Sequence, residues 1–117
     1  MPGVDTAMPV MENWLQSFPN LSGVFALNDP SAIGCIAAIE SAGKLDQIFV
    51  VGVDGSSDGI KSIAEGKLGA SAAQDPVKIG SVSVEQCYRV LAGEEVEPDI
   101  KIPSFLIDQS NVAQFAE

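Results

Sequence analysis

Ile48-Phe49-Val50-Val51-Gly52-Val53 is an uncharged apolar run that stops on Asp54-Gly55. A short run of this kind, closed by a turn signal, reads as a strand covered on both faces. The same pattern recurs on either side of it. Gly23-Val24-Phe25-Ala26-Leu27 stops at Asn28-Asp29, and Leu68-Gly69-Ala70-Ser71-Ala72-Ala73 stops at Gln74-Asp75. A helical stretch follows each run. In an open parallel sheet the carboxyl ends of the strands share one edge, and ligands bind in the crevice outside it. Asn28, Asp54 and Gln74 are therefore expected on one rim, although 26 and 20 residues separate them in sequence. All three can hydrogen-bond hydroxyls, and only Asp54 is charged. Such a set suits a neutral polyol better than an anion or a nucleic acid.

The remaining elements follow from periodicity and punctuation. A first helix is expected over about Ala7 to Ser17, with Met8, Met11, Leu15 and Phe18 at helical spacing. Trp14 lies mid-helix and reads as a core or interface aromatic rather than a platform for a sugar ring. Asp29 reads as the cap of a second helix whose first residue is Pro30, and Gly43 as its left-handed stop. Ser57 or Asp58 begins a short helix that Gly66 ends. Asp75-Pro76 repeats the cap-and-proline entry for a long helix from Val77 to about Ala92, stopped by Gly93. An acidic loop, Glu94 to Asp99, leads to a last strand over Ile100 to Ile107, which Pro103 places at an edge. A short helix is expected after Ser110 or Asn111. The order α-β-α-β-α-β-α-β predicts an α/β fold: Rossmann-like, three-layered, with a mostly parallel sheet of about four strands. No internal linker divides residues 1–117, which reads as a single domain.

Composition removes several function classes. A chain of 117 residues, 46% of them hydrophobic, can bury a core of its own. Sixteen acidic against six basic residues give a formal charge of −10. The only Arg is Arg89 and the Lys are scattered, whereas nucleic-acid and anionic-membrane binding need clustered cations. There is no His, the commonest zinc ligand and the usual imidazole base. Cys35 and Cys87 are expected to be buried, unpaired small residues. No cofactor and no metal site are expected. The start, Met1-Pro2-Gly3-Val4-Asp5, has neither the basic nor the apolar region of a signal peptide. Taken as complete, the chain would be cytoplasmic.

Read in order, these residues resemble the periplasmic sugar-binding proteins of the ribose-binding type, the type I periplasmic binding proteins. The likeness is carried by Gly23-Val24-Phe25-Ala26-Leu27-Asn28-Asp29 with Ala32 and Gly34, by Ala42-Gly43-Lys44, and by Val50-Val51-Gly52-Val53-Asp54-Gly55. It continues through Asp58-Gly59-Ile60, Glu65-Gly66-Lys67-Leu68 and Ala73-Gln74-Asp75-Pro76 with Ile79-Gly80. The resemblance implies two Rossmann-like lobes, joined by three hinge crossings, that close on a sugar. It also implies an extracytoplasmic location and an ABC transporter permease as partner. Carried over motif by motif, the family's ligand contacts fall on Asn28, Asp54 and Gln74; Asp29 and Asp75 are assigned to capping. Family members are more than twice as long. The resemblance therefore implies a carboxy-terminal portion whose amino-terminal lobe is missing, with residues 76–107 resembling the segment that crosses to that other lobe.

Two other readings compete. The effector domain of a LacI-type repressor shares the fold, but its helix-turn-helix is not here. An enzyme or receiver-like domain would use Asp29, Asp54 and Asp58 as an acid pair or Mg2+ site. That reading also wants a paired acid near the start and a Lys at a later strand end, and neither is present. Assembly is expected as well. The helix from Val77 to Ala92 carries Ile79, Val82, Val84, Cys87, Val90 and Leu91, a stripe wider than one face. With Trp14 and the Met8–Met11 face as a further uncovered patch, it predicts a homodimer or a segment-swapped dimer.

Overall fold

The structure is a computed structural model that describes residues 2–115. It contains two compact units: residues 2–73 with 105–115, and residues 74–104. In chain order the elements are α1 (Val4–Ser17), β1 (Gly23–Phe25), α2 (Asp29–Ser41), β2 (Phe49–Asp54), α3 (Ser57–Ala64), β3 (Ala70–Ala73), α4 (Pro76–Leu91) and β4 (Phe105–Asp108). A 3-10 turn, Val112–Gln114, follows. Among the described residues no helix is long and apolar enough to cross a membrane.

The first unit holds a four-stranded sheet in the order β1-β2-β3-β4. β1, β2 and β3 run parallel, with Val24 opposite Val50 and Gly52 opposite Ser71. The mostly parallel α/β sheet is thus the expected one. β4 differs from the expectation of a strand over Ile100 to Ile107. It begins only at Phe105 and pairs antiparallel with β3, Phe105 opposite Ala73 and Asp108 opposite Ala70. The short partner accounts for this: β3 offers four residues, so residues before Phe105 have nothing to pair with, and Pro103 has no N–H to donate. The edge position expected from Pro103 holds.

Side chains alternate across the sheet. Val24, Ala26, Val50, Ser71, Ala73 and Ile107 point to one face and are buried against Ala32, Cys35, Ile36 and Ile39 of α2 and Ile63 of α3. The opposite face carries Phe25, Leu27, Phe49 and Leu106, all more than half exposed. α1 begins three residues earlier than its pattern predicts, at Val4, and continues through Pro9. Its first turn is held by Thr6, whose Oγ1 accepts from Gly3 N at 2.9 Å. Gly34 lets α1 approach α2, since a Cβ there would lie 2.5 Å from Val4 O. The Met8–Met11 face is not an uncovered patch, because Met11 is fully buried and Met8 packs on the core. Trp14 remains 43% exposed on the helix's outer side.

In the second unit Asp75 caps α4 by accepting from Lys78 N at 2.8 Å, as expected. The helix buries no residue. Ile79, Val82 and Gln86 line a shallow groove with Pro98, Ile100 and Ile102 of the returning chain. Arg89 Nε donates to Glu94 Oε2 at 2.8 Å, which folds the acidic loop back on the helix end. Cys87 is exposed, contrary to the expectation of two buried cysteines; Cys35 is buried, and both are free.

Candidate functional site

Asn28 and Asp54 stand at the carboxyl ends of neighbouring parallel strands. The register Phe25 opposite Val51, continued by the Ala26 N–H donating to Val51 O at 2.9 Å, brings the two level. Gln74 follows Ala73, the residue paired with Asp54, and is the exposed first residue of the second unit.

Asn28, in extended backbone, is the cap of α2. Its Oδ1 accepts from Ser31 N at 2.9 Å, and its Nδ2 donates to Pro2 O at 3.3 Å. One oxygen lone pair and one amide hydrogen are left over from these bonds for a hydroxyl. Asp29 does not cap, which corrects its expected role. Pro30 still opens the helix, one position later than expected, because Asn28 has taken the cap.

Asp54 is half-buried and has φ 114°, the one non-glycine residue with positive φ among the described residues. An L-residue held in such a region costs about 1–3 kcal/mol and persists only where its surroundings over-determine it. Gly55 follows with φ 69°, and a Cβ there would lie 2.5 Å from Ala73 Cβ. The two residues that follow Asp54 are tied to Asp29, which is fully buried. Its Oδ1 accepts from Ser71 Oγ at 2.7 Å, and its Oδ2 from Ser56 N at 2.8 Å and Ser56 Oγ at 2.9 Å. Ser71 Oγ accepts in turn from Gly55 N at 3.0 Å, and Ser56 Oγ caps α3 by accepting from Gly59 N at 3.0 Å. Asp29 is the residue that sequence reasoning misplaced. The signal for it lay in a glycine inside an apolar strand, Gly52, and a serine inside another, Ser71.

A groove between α2 and α3, lined by Pro30, Ile33, Ala37, Asp58, Lys61 and Glu65, lies apart from this rim and includes neither Asn28 nor Asp54. Asp58 lines that groove. No group of three or more His, Cys, Asp or Glu among the described residues is arranged to hold a metal ion.

The model described as periplasmic binding protein domain matches residues 3–95, and the chain belongs to that family. Within it the chain is similar to proteins of the ribose-binding type. It is 47% identical over 88 residues to the ribose import binding protein of Salmonella typhimurium, spanning 75% of this chain and 29% of that protein. Two solved structures share the fold over 97% of this chain. One is an ABC transporter solute binding protein from Bacillus halodurans with bound myo-inositol (37% identity, TM-score 0.88, 39% of its chain covered). The other, from Actinobacillus succinogenes with bound D-allose, is 27% identical with a TM-score of 0.90, and 40% of its chain is covered. The chain thus spans about a third of the length of the curated relative it matches.

Proposed function

We infer that this chain provides part of the sugar- or polyol-binding cleft of an extracytoplasmic solute-binding protein that serves an ABC transporter. One observation carries the reading: Asp54 is held at a strained φ at the strand-end rim, level with Asn28. Asp54 would accept hydrogen bonds from two hydroxyls, and Asn28 would give one and take one. Gln74 is the third proposed contact, on the strength of its place directly after β3. The relatives described above, one named for ribose import and two solved with a polyol or a monosaccharide, support a neutral polyhydroxylated ligand.

In this reading residues 76–107 belong with the crossing to an amino-terminal lobe, which supplies the remaining contacts and closes over the ligand. Affinity of the chain alone is then weak, because half a cleft leaves the ligand wet. The exposed apolar face of the sheet and the exposed apolar residues of α4 favour self-association, as a homodimer or a segment-swapped dimer. The acidic balance leaves nucleic acid without a basic surface to bind. The repressor-effector and enzyme readings gain nothing from these relatives, which are named for import or solute binding.

Calorimetric titration with D-ribose, D-allose and myo-inositol tests the proposal, on the chain and on a two-lobed protein that contains it. Hydrogen bonds to a charged group contribute about 1.5 to 3 kcal/mol each. Asp54→Ala should therefore weaken binding at least roughly tenfold, about 1.4 kcal/mol. An unchanged dissociation constant would remove Asp54 from the site.

A further inference from the structure

Three segments meet on one carboxylate. Asp29 lies at the first position of α2, Ser56 in the loop after β2, and Ser71 within β3. Both residues that follow Asp54 are tied to Asp29: Ser56 directly through its N–H and Oγ, and Gly55 through the hydroxyl of Ser71. A second observation points the same way. A Cβ on Gly52 would collide with Asp29 Oδ1, and one on Gly59 with Asp29 Oδ2. Gly52 is a buried position inside β2 and Gly59 lies in the first turn of α3, places where glycine otherwise weakens the element. Both make room for this side chain.

We propose that Asp29 is the positioning residue of the strand-end site, fixing the Asp54-Gly55 turn in the geometry that presents the Asp54 carboxylate to a polyol hydroxyl. The ligand in this statement rests on the function proposed above; the geometry does not. The chemistry needs an acceptor-only group. Ser56 N, Ser56 Oγ and Ser71 Oγ all donate to Asp29, and an asparagine would turn an amide N–H2 toward one set of these donors. The Ser71 hydroxyl is a relay: it donates to Asp29 and accepts from Gly55, so the Asp29 carboxylate reaches, through β3, the turn at the end of the neighbouring strand.

The test compares the parent chain with Asp29→Asn and Ser71→Ala, isotope-labelled for NMR. Ser71→Ala removes the relay and leaves both Ser56 bonds, so it is the variant expected to keep its fold. The resonances of Val50, Ile39 and Ile63, all in the core, report that fold. Amide-to-Hα couplings and carbon shifts at Asp54 and Gly55 report the turn. In Ser71→Ala the core resonances should hold while those of Asp54 and Gly55 move and broaden. In a two-lobed protein that contains the chain, the affinity of Ser71→Ala for D-allose or myo-inositol should fall at least about tenfold. Couplings at Asp54 and Gly55 that stay at parent values in both variants overturn the proposal. So does an affinity loss in Ser71→Ala without any change at Asp54. A two-lobed protein containing the chain whose Asp54 resonance ignores every sugar removes the sugar reading alone, since the couplings still decide whether Asp29 sets the turn.

Discussion

Substituting Asp54 separately by Gly and by Ala separates the strain of its backbone from the work of its carboxylate. Both variants lose the carboxylate and every bond it makes, so those losses cancel in the comparison. What differs is the Cβ at φ 114°. Holding a Cβ in such a region costs about 1–3 kcal/mol. Glycine gives back about 0.5–1 kcal/mol through the greater freedom of the unfolded chain. Asp54→Gly should therefore be more stable than Asp54→Ala by about 0.5–2 kcal/mol. With a urea slope of about 2 kcal/mol per molar, the midpoint of Asp54→Gly should lie roughly 0.3 to 1 M above that of Asp54→Ala. Far-UV circular dichroism in a urea series reads this directly. Titration of the same two variants with a sugar should find the same loss of affinity in both, because the lost contact is the same. Equal midpoints, or an alanine variant more stable than the glycine one, would refute the claim that Asp54 is held under strain for a purpose.

Four further outcomes follow from particular residues. Asn28→Ala removes the acceptor of Ser31 N and should cost about 1 kcal/mol in urea denaturation, whereas Asn28→Asp, which keeps a capping oxygen, should stay close to the parent. Burial pushes the Cys35 thiol up while Cys87 is exposed, so a thiol reagent at neutral pH should label Cys87 quickly and Cys35 only on unfolding; equal rates would contradict the packing of α2. Sugar binding measured before and after EDTA should agree, and a loss restored by calcium or magnesium would favour a metal site instead. Light scattering coupled to size exclusion should find a dimer at tens of micromolar, weakened by Phe25→Ser on the exposed sheet face; a clean monomer would sink the assembly proposal.

Strand positions were legible because an uncharged run ending on a polar pair has few other physical meanings. All three predicted parallel strands are present: β1 and β3 are each two residues shorter than expected, and β2 is shifted one residue later. Helix ends were legible for a similar reason: Gly43, Gly66 and Gly93 all adopt the positive φ their places suggested. Two things were not legible. The choice between Asn28 and Asp29 as cap depends on where a buried donor lies, and Ser56 and Ser71 are 27 and 42 residues away from Asp29 in sequence. The direction of β4 depends on how residues 74–104 return, and no residue within Phe105–Asp108 encodes it. Periodicity could not reveal the open face of the sheet either, since Phe25 and Phe49 are as apolar as the neighbours that are buried.

The glycine stops have a practical side. Gly43 closes α2 on the edge of the sheet opposite the strand carboxyl ends, and an added Cβ there would meet nothing within 4 Å. Glycine itself must stay, because its φ of 68° is what turns the chain. The exposed residues just beyond it, Asp46 and Gln47, carry no such constraint. From there to Asp54 the six residues of β2 alone span about 20 Å. A dye, an affinity handle or an inserted peptide joined at Asp46 would stand a full strand length from the rim. The first unit thus offers, away from the edge proposed for the ligand, a second edge on which a sensor could be assembled.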